Sequence, residues 1–63
     1  LTWEIIKNKR IKNGWTKAEL SRRTGISQQL LCDIEAGRRN PSLKNLVKLA
    51  KCLEFSLDEL LIN

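Results

Sequence analysis

Few residues of this chain can do chemistry, and most kinds of chemistry are excluded by what is missing. There is no histidine, and Cys32 and Cys52 are the only thiols. No CxxC pair, cluster of ligand types, Gly-rich phosphate loop or poised pair of carboxylates accompanies them. Acid–base, nucleophilic and metal-assisted mechanisms therefore lack a set of residues to run on. No catalytic residue, metal or cofactor is expected. What remains is hydrogen-bonding capacity. Gln28 and Gln29 sit side by side after Ser27, and each amide offers a donor and an acceptor next to one another. Downstream, Arg38, Arg39, Asn40 and Lys44 gather cationic and amide groups in one short stretch.

These residues must be held by a small, basic scaffold. Twelve Lys or Arg stand against seven Asp or Glu in 63 residues, a net charge of +5, and residues 1–63 suffice for only one domain. Such a chain buries only about 60% of the surface its unfolded form exposes, so it needs disulfides, a metal or efficient helix packing. Helix packing is the expected route, with Cys32 and Cys52 as small buried apolar residues in a reducing compartment and a bridge between them as the minor alternative. No run approaches the roughly 18 apolar residues of a membrane span, and no signal-peptide pattern opens the chain. A cytoplasmic location without a membrane partner is expected. The chain opens on Leu1 rather than Met, which suggests trimming or excision from a longer protein.

One Pro and three Gly punctuate the sequence where helical patterns stop, and no strand signal lies between them, so the fold class is all-α. Thr2 is positioned to cap a first helix running to about Asn13, with Trp3, Ile6 and, unexpectedly, Arg10 on its inward stripe. Thr16 and Glu19 form a capping box for a second helix that carries Ala18 and Leu20 inward and ends near Thr24. Ser27 caps a third helix ending at Gly37. Leu31 and Ile34 lie on its inner side, Leu30 partly so, and Gln28, Gln29 and Asp33 lie on the other. Ser42 opens a fourth helix whose row of Leu46, Leu49, Ala50 and Leu53 opposes Lys44, Lys48 and Lys51. Ser56 and Glu59 open a short fifth helix with Leu57, Leu60 and Leu61.

The second and third helices are joined by about three residues around Gly25, too tight for an antiparallel hairpin and suited to a steep crossing. This is a helix-turn-helix over about residues 16–36. A small Ser21 lets the helices approach, Gly25 supplies a positive φ, and Ile26, Leu31 and Ile34 lock one helix onto the other. At this point "KNKRIKNGWTKAELSRRTGISQQ" followed by "IEAGRRNPSLKNLVKLAKCLEFSLDELL" resembles the Cro/C1 family, also called XRE-type. These are the lambdoid-phage repressor and Cro proteins and their bacterial relatives. The resemblance covers nearly the whole chain.

The resemblance implies a compact five-helix, lambda repressor-like domain that lays its third helix in the DNA major groove, with the second helix across the phosphate backbone. It puts Ser27, Gln28 and Gln29 against base edges, where a glutamine amide matches the N6 and N7 pattern of adenine. The plainer reading is that both glutamines are solvated surface residues. Asp33 lies one turn beyond Gln29, where relatives carry an uncharged or basic residue. Two readings stand open for it: a hydrogen bond from cytosine N4, or a pair with a neighbouring cation. Phosphate contacts are expected from Thr16 and Lys17 at the start of the second helix, from Ser42 at the start of the fourth, and from Arg38, Arg39, Asn40 and Lys44. Lys9, Arg22 and Arg23 are weaker candidates, and Lys48 and Lys51 should face away. Family members carrying the equivalents of Arg10 and Glu35 join the first helix to the end of the third by a buried ion pair, a structural duty.

The function implied is sequence-specific binding of double-stranded DNA by a prokaryotic or phage transcriptional regulator, a repressor acting as a homodimer on a palindromic operator. The self-contact would lie before the fourth helix and around Leu57 and Asp58. The alternative is an antitoxin-like module that chiefly holds a partner protein, motivated by Asp33 on the reading face and by the apolar tail Leu57, Leu60, Leu61 and Ile62.

Overall fold

The computed structural model describes residues 2–56, which form four helices and no strand: α1 (Thr2–Lys12), α2 (Lys17–Thr24), α3 (Gln28–Glu35) and α4 (Leu43–Leu53). The expected fifth helix, with Leu57, Leu60, Leu61 and Ile62, lies outside the described residues, as do Leu57 and Asp58 of the expected self-contact. Thr2 is the first residue of α1 rather than its cap.

A single apolar cluster holds the helices together. Ile6 of α1, Leu20 of α2, Leu31 and Ile34 of α3 and Leu49 of α4 are fully buried. Ile26, Ala50, Leu53 and Phe55 complete the core, with Ile5, Trp15, Leu30, Leu46 and Cys52 packed at its edge. The stripe of α4 is the clearest in the chain, because its lysines all fall on the solvent side. By contrast, among the described side chains of α1 only Ile6 is fully buried, and Trp3 is half-buried with its indole over Gly37. Arg10 adds a polar contact from α1 to Glu35 at the end of α3.

Ala18, expected to face inward beside Leu20, is exposed. Two residues are about 200° of helical rotation, so in a helix this short the two cannot share one face. Cys32 and Cys52, expected to be buried, are each half-buried and unbridged. Both lie at the margin of their helices' apolar stripes, where the core begins to give way to solvent.

The corner between α2 and α3 is braced by polar groups as well as by the core. Gly25 adopts φ 77°, ψ 7°, the left-handed conformation that glycine takes without the penalty an L side chain meets, and its N–H donates to the Ser21 carbonyl. The Ser21 hydroxyl donates to the Ile26 carbonyl at 2.5 Å. Thr24 Oγ1 donates to the Leu20 carbonyl at 2.8 Å and accepts from the Ile26 N–H at 3.2 Å. Ser21 is thus more than a small residue that permits close approach: it ties the turn to the helix before it.

Candidate nucleic-acid interface

The start of α3 is built by its cap. Ser27 sits in extended backbone and its Oγ accepts from the Leu30 N–H at 3.1 Å, which leaves the hydroxyl hydrogen free to donate outward. Gln28 and Gln29 follow as the first two helical residues, both exposed, while Leu31 and Ile34 are fully buried beneath them. The helix is therefore fixed by its inner face and presents amides from its outer one.

Asp33 is largely covered, with its side chain 17% exposed. Its Oδ1 accepts from Arg38 Nη2 at 3.0 Å and from Arg38 Nε at 3.2 Å, and Gln29 Nε2 donates to the same oxygen at 3.4 Å. Of the two expectations for this residue, pairing with a neighbouring cation describes the geometry. Arg38 itself remains 61% exposed, so its guanidinium sits at the surface while held by the acid.

Arg10 reaches from α1 to the end of α3. Its Nε and Nη2 donate to the two oxygens of Glu35 at 2.8 and 2.9 Å, and Nη1 donates to the Trp15 carbonyl at 2.7 Å. The Glu35 side chain is 3% exposed and that of Arg10 11%. One guanidinium therefore joins the first helix, the loop after it and the third helix in a two-point, charge-assisted contact.

Around this pair opens a groove lined by Lys7, Lys17, Cys32, Ala36 and Arg38, with Arg10 and Glu35 also in its wall. Lys17 and Arg38 are thereby brought together from α2 and from beyond α3. Lys7 joins them, a cation that sequence reasoning passed over although it lies one turn before Arg10 on the same helix. At the start of α2 the Thr16 hydroxyl accepts from the Glu19 N–H and the Thr16 carbonyl from the Leu20 N–H, leaving the Lys17 and Ala18 amides without a partner inside the helix. Only half of the expected capping box forms, because the Glu19 carboxylate turns to Arg22 and Arg23 instead. Ser42 caps α4 by accepting from the Asn45 N–H at 3.1 Å. Arg39, Asn40, Ser42 and Lys44 are exposed along the connection into that helix and do not line the groove.

A second groove is lined by Trp15, Arg23, Thr24, Lys48, Lys51 and Cys52, and shares no residue with the first. Arg23 stacks over the Trp15 ring at 4.2 Å and pairs with Glu19 at 2.6 Å, so this cation is engaged within the fold. Burial pushes the Cys52 thiol up, with Arg23 opposing and Glu19 adding to the rise, which favours its protonated form. Among the described residues no group of acidic or thiol side chains is arranged to hold a metal, and no helix is long and apolar enough to cross a membrane.

A capped, outward-facing α3 locked across a glycine corner onto α2 is the arrangement of a helix-turn-helix, and the helix-turn-helix family model matches residues 6–60. The chain belongs to the XRE-type helix-turn-helix family. Among helix-turn-helix relatives, it is 45% identical over 51 residues to the uncharacterized transcriptional regulator y4dJ of Sinorhizobium fredii, covering 81% of this chain and 66% of that one. It is 39% identical over 57 residues to the cryptic phage CTXphi transcriptional repressor RstR of Vibrio cholerae, covering 90% and 51% respectively. It is 38% identical over 48 residues to the antitoxin HipB of Escherichia coli, covering 76% and 51%. The chain thus spans about two thirds of the length of the first of these relatives and about half that of the other two. No solved structure gives a significant match.

Proposed function

We propose that this helix-turn-helix chain is the sequence-specific, double-stranded DNA-binding part of a prokaryotic or phage transcriptional regulator that acts as a repressor in the cytoplasm. The observation that carries the proposal is the division of α3 by face. Leu31 and Ile34 fasten it to the core, Ser27 fixes its first turn, and Gln28 and Gln29 stand exposed about one helical turn before Cys32, which lines a groove with Lys7, Lys17 and Arg38. In this reading α3 enters the major groove, where Gln28 and Gln29 contact base edges and the Ser27 hydroxyl donates to a base or a phosphate.

Phosphates are met by the open amides at the start of α2, by Thr16 and Lys17, and by Arg38, Arg39, Asn40, Ser42 and Lys44. Arg10 and Glu35 carry no contact of their own in this scheme and set the angle between α1 and α3. Two copies on a palindromic operator, with half-sites about one helical turn apart, turn the few contacts of a domain this small into useful affinity.

The test is a selection of bound sequences from randomised duplexes, followed by titration of the selected site. A defined half-site is expected. For a dimer neutralising about six phosphates, affinity should fall by roughly a thousandfold between 50 and 200 mM salt. Binding without sequence preference, or indifferent to salt, overturns the proposal.

The second reading, a module that holds a partner protein, is favoured by the likeness to a protein named an antitoxin and by Leu43, a large apolar side chain 72% exposed at the start of α4. Asp33 no longer speaks for it, because its charge is matched by Arg38. Capture of a defined partner by a chain that retards no DNA would favour it over the repressor.

A further inference from the structure

Resting on the major-groove reading above, we infer that Asp33 is a positioning residue for Gln29, and through Gln29 a determinant of the base that α3 prefers. A carboxylate on a surface that approaches phosphates is an electrostatic liability, yet this one is answered within its own protein. Both Nε and Nη2 of Arg38 converge on Asp33 Oδ1, and the Arg38 backbone N–H donates to the Asp33 carbonyl at 2.9 Å, so the residues after α3 hold the guanidinium against the acid. Arg38 Nη2 also lies 3.9 Å from Cys32 Sγ. The carboxylate is matched and largely covered, and the oxygen that takes both Arg38 bonds, Oδ1, is also the one within reach of the Gln29 amide.

That oxygen meets Gln29. An ionised carboxylate only accepts hydrogen bonds, so the amide facing it must present its NH2 side; a reversed amide would set two acceptor oxygens against each other. Gln29 Nε2 donates to Asp33 Oδ1 across one helical turn, which turns the Gln29 carbonyl oxygen outward. A free glutamine can rotate its amide and offer donor or acceptor to a base with equal ease. Held by Asp33, it leads with the acceptor, which favours bases that donate in the major groove, adenine through N6 and cytosine through N4. Guanine and thymine present acceptors at the corresponding place and are disfavoured. The ion pair with Arg38 holds the carboxylate in place, so the three residues act in line: cation, carboxylate, reading amide.

The experiment compares sequence selections, and titrations at several salt concentrations, for the full chain and for Asp33→Ala, Asp33→Asn, Gln29→Ala and the double variant Gln29→Ala/Asp33→Ala. Asp33→Ala should lower discrimination at the base pair assigned to Gln29 by about tenfold. Asp33→Asn, whose amide can face Gln29 with either its oxygen or its NH2, should lose part of it. Both should release Arg38 and steepen the salt dependence by about one phosphate, so the charge effect is common to the two and the base preference is what separates them.

In the Gln29→Ala background, removing Asp33 should leave base preference unchanged. The inference is overturned if Asp33→Ala leaves the preference intact, if Asp33→Asn discriminates as fully as the unaltered chain, or if Asp33→Ala still changes preference when Gln29 is absent, since Asp33 would then touch the base itself. A chain that selects no sequence overturns the major-groove reading and this inference with it, whereas a selection that ignores Gln29→Ala overturns this inference alone.

Discussion

The Arg10 guanidinium lies edge to edge with the Glu35 carboxylate, two parallel hydrogen bonds of 2.8 and 2.9 Å closing a contact between residues 25 apart in the chain. With Glu35 almost fully covered, neither charge can be removed without leaving the other stranded in a poorly solvated place. Glu35→Gln keeps one acceptor but removes the charge, and should lower unfolding free energy by about 3 kcal/mol; Glu35→Ala should cost about 5 kcal/mol. A domain of this length has only about 3 to 9 kcal/mol in all. Glu35→Ala is therefore expected to be largely unfolded at physiological temperature, and Glu35→Gln folded with a lower midpoint. Denaturant titration followed by circular dichroism measures both, and an unchanged midpoint for Glu35→Gln would show that the pair contributes nothing net.

The corner at Gly25 gives a prediction of a different kind, because nothing lies within 4 Å of where its Cβ would be. Any loss in Gly25→Ala must come from the left-handed backbone alone, about 1 to 2 kcal/mol. Gly25→Asn should recover part of this, since asparagine tolerates that conformation better. Equal losses for the two variants would place the strain in packing rather than in φ.

Much of this molecule could be read from its residues because local signals and tertiary needs agree. Ser27, Ser42 and Thr16 cap the helices they precede, Gly25 turns where a turn is required, and the lysines of α4 stand opposite its leucines. The signals that misled are those where periodicity is short. In an eight-residue helix one buried leucine does not determine what its neighbours face, and Ala18 turned out to be exposed. Side-chain partnerships were harder still. Nothing in the spacing of Glu19 tells whether it closes its capping box or turns to Arg22 and Arg23, and the exposed choice won because two cations lie on the same helix face. The convergence of Arg38 and Gln29 on Asp33 depends on how the chain bends back after α3, a three-dimensional fact with no linear signature.

Lys7 was invisible as a functional candidate for a similar reason: only when α1 docks through Arg10 does its lysine come to share a groove with Lys17 and Arg38. If that groove receives the DNA backbone, Lys7→Ala should weaken binding to every sequence alike and make the plot of log affinity against log salt shallower by about one unit, with base preference untouched. The exposed position makes a stability change above about 0.5 kcal/mol unexpected, so the effect can be assigned to binding. Lys48 is the internal control, since it lines the second groove, which shares no residue with the first. Fluorescence anisotropy of a labelled duplex at four or more salt concentrations separates the two lysines. A slope altered by Lys48→Ala and not by Lys7→Ala would reverse the assignment and move the phosphate path to the groove beside Trp15.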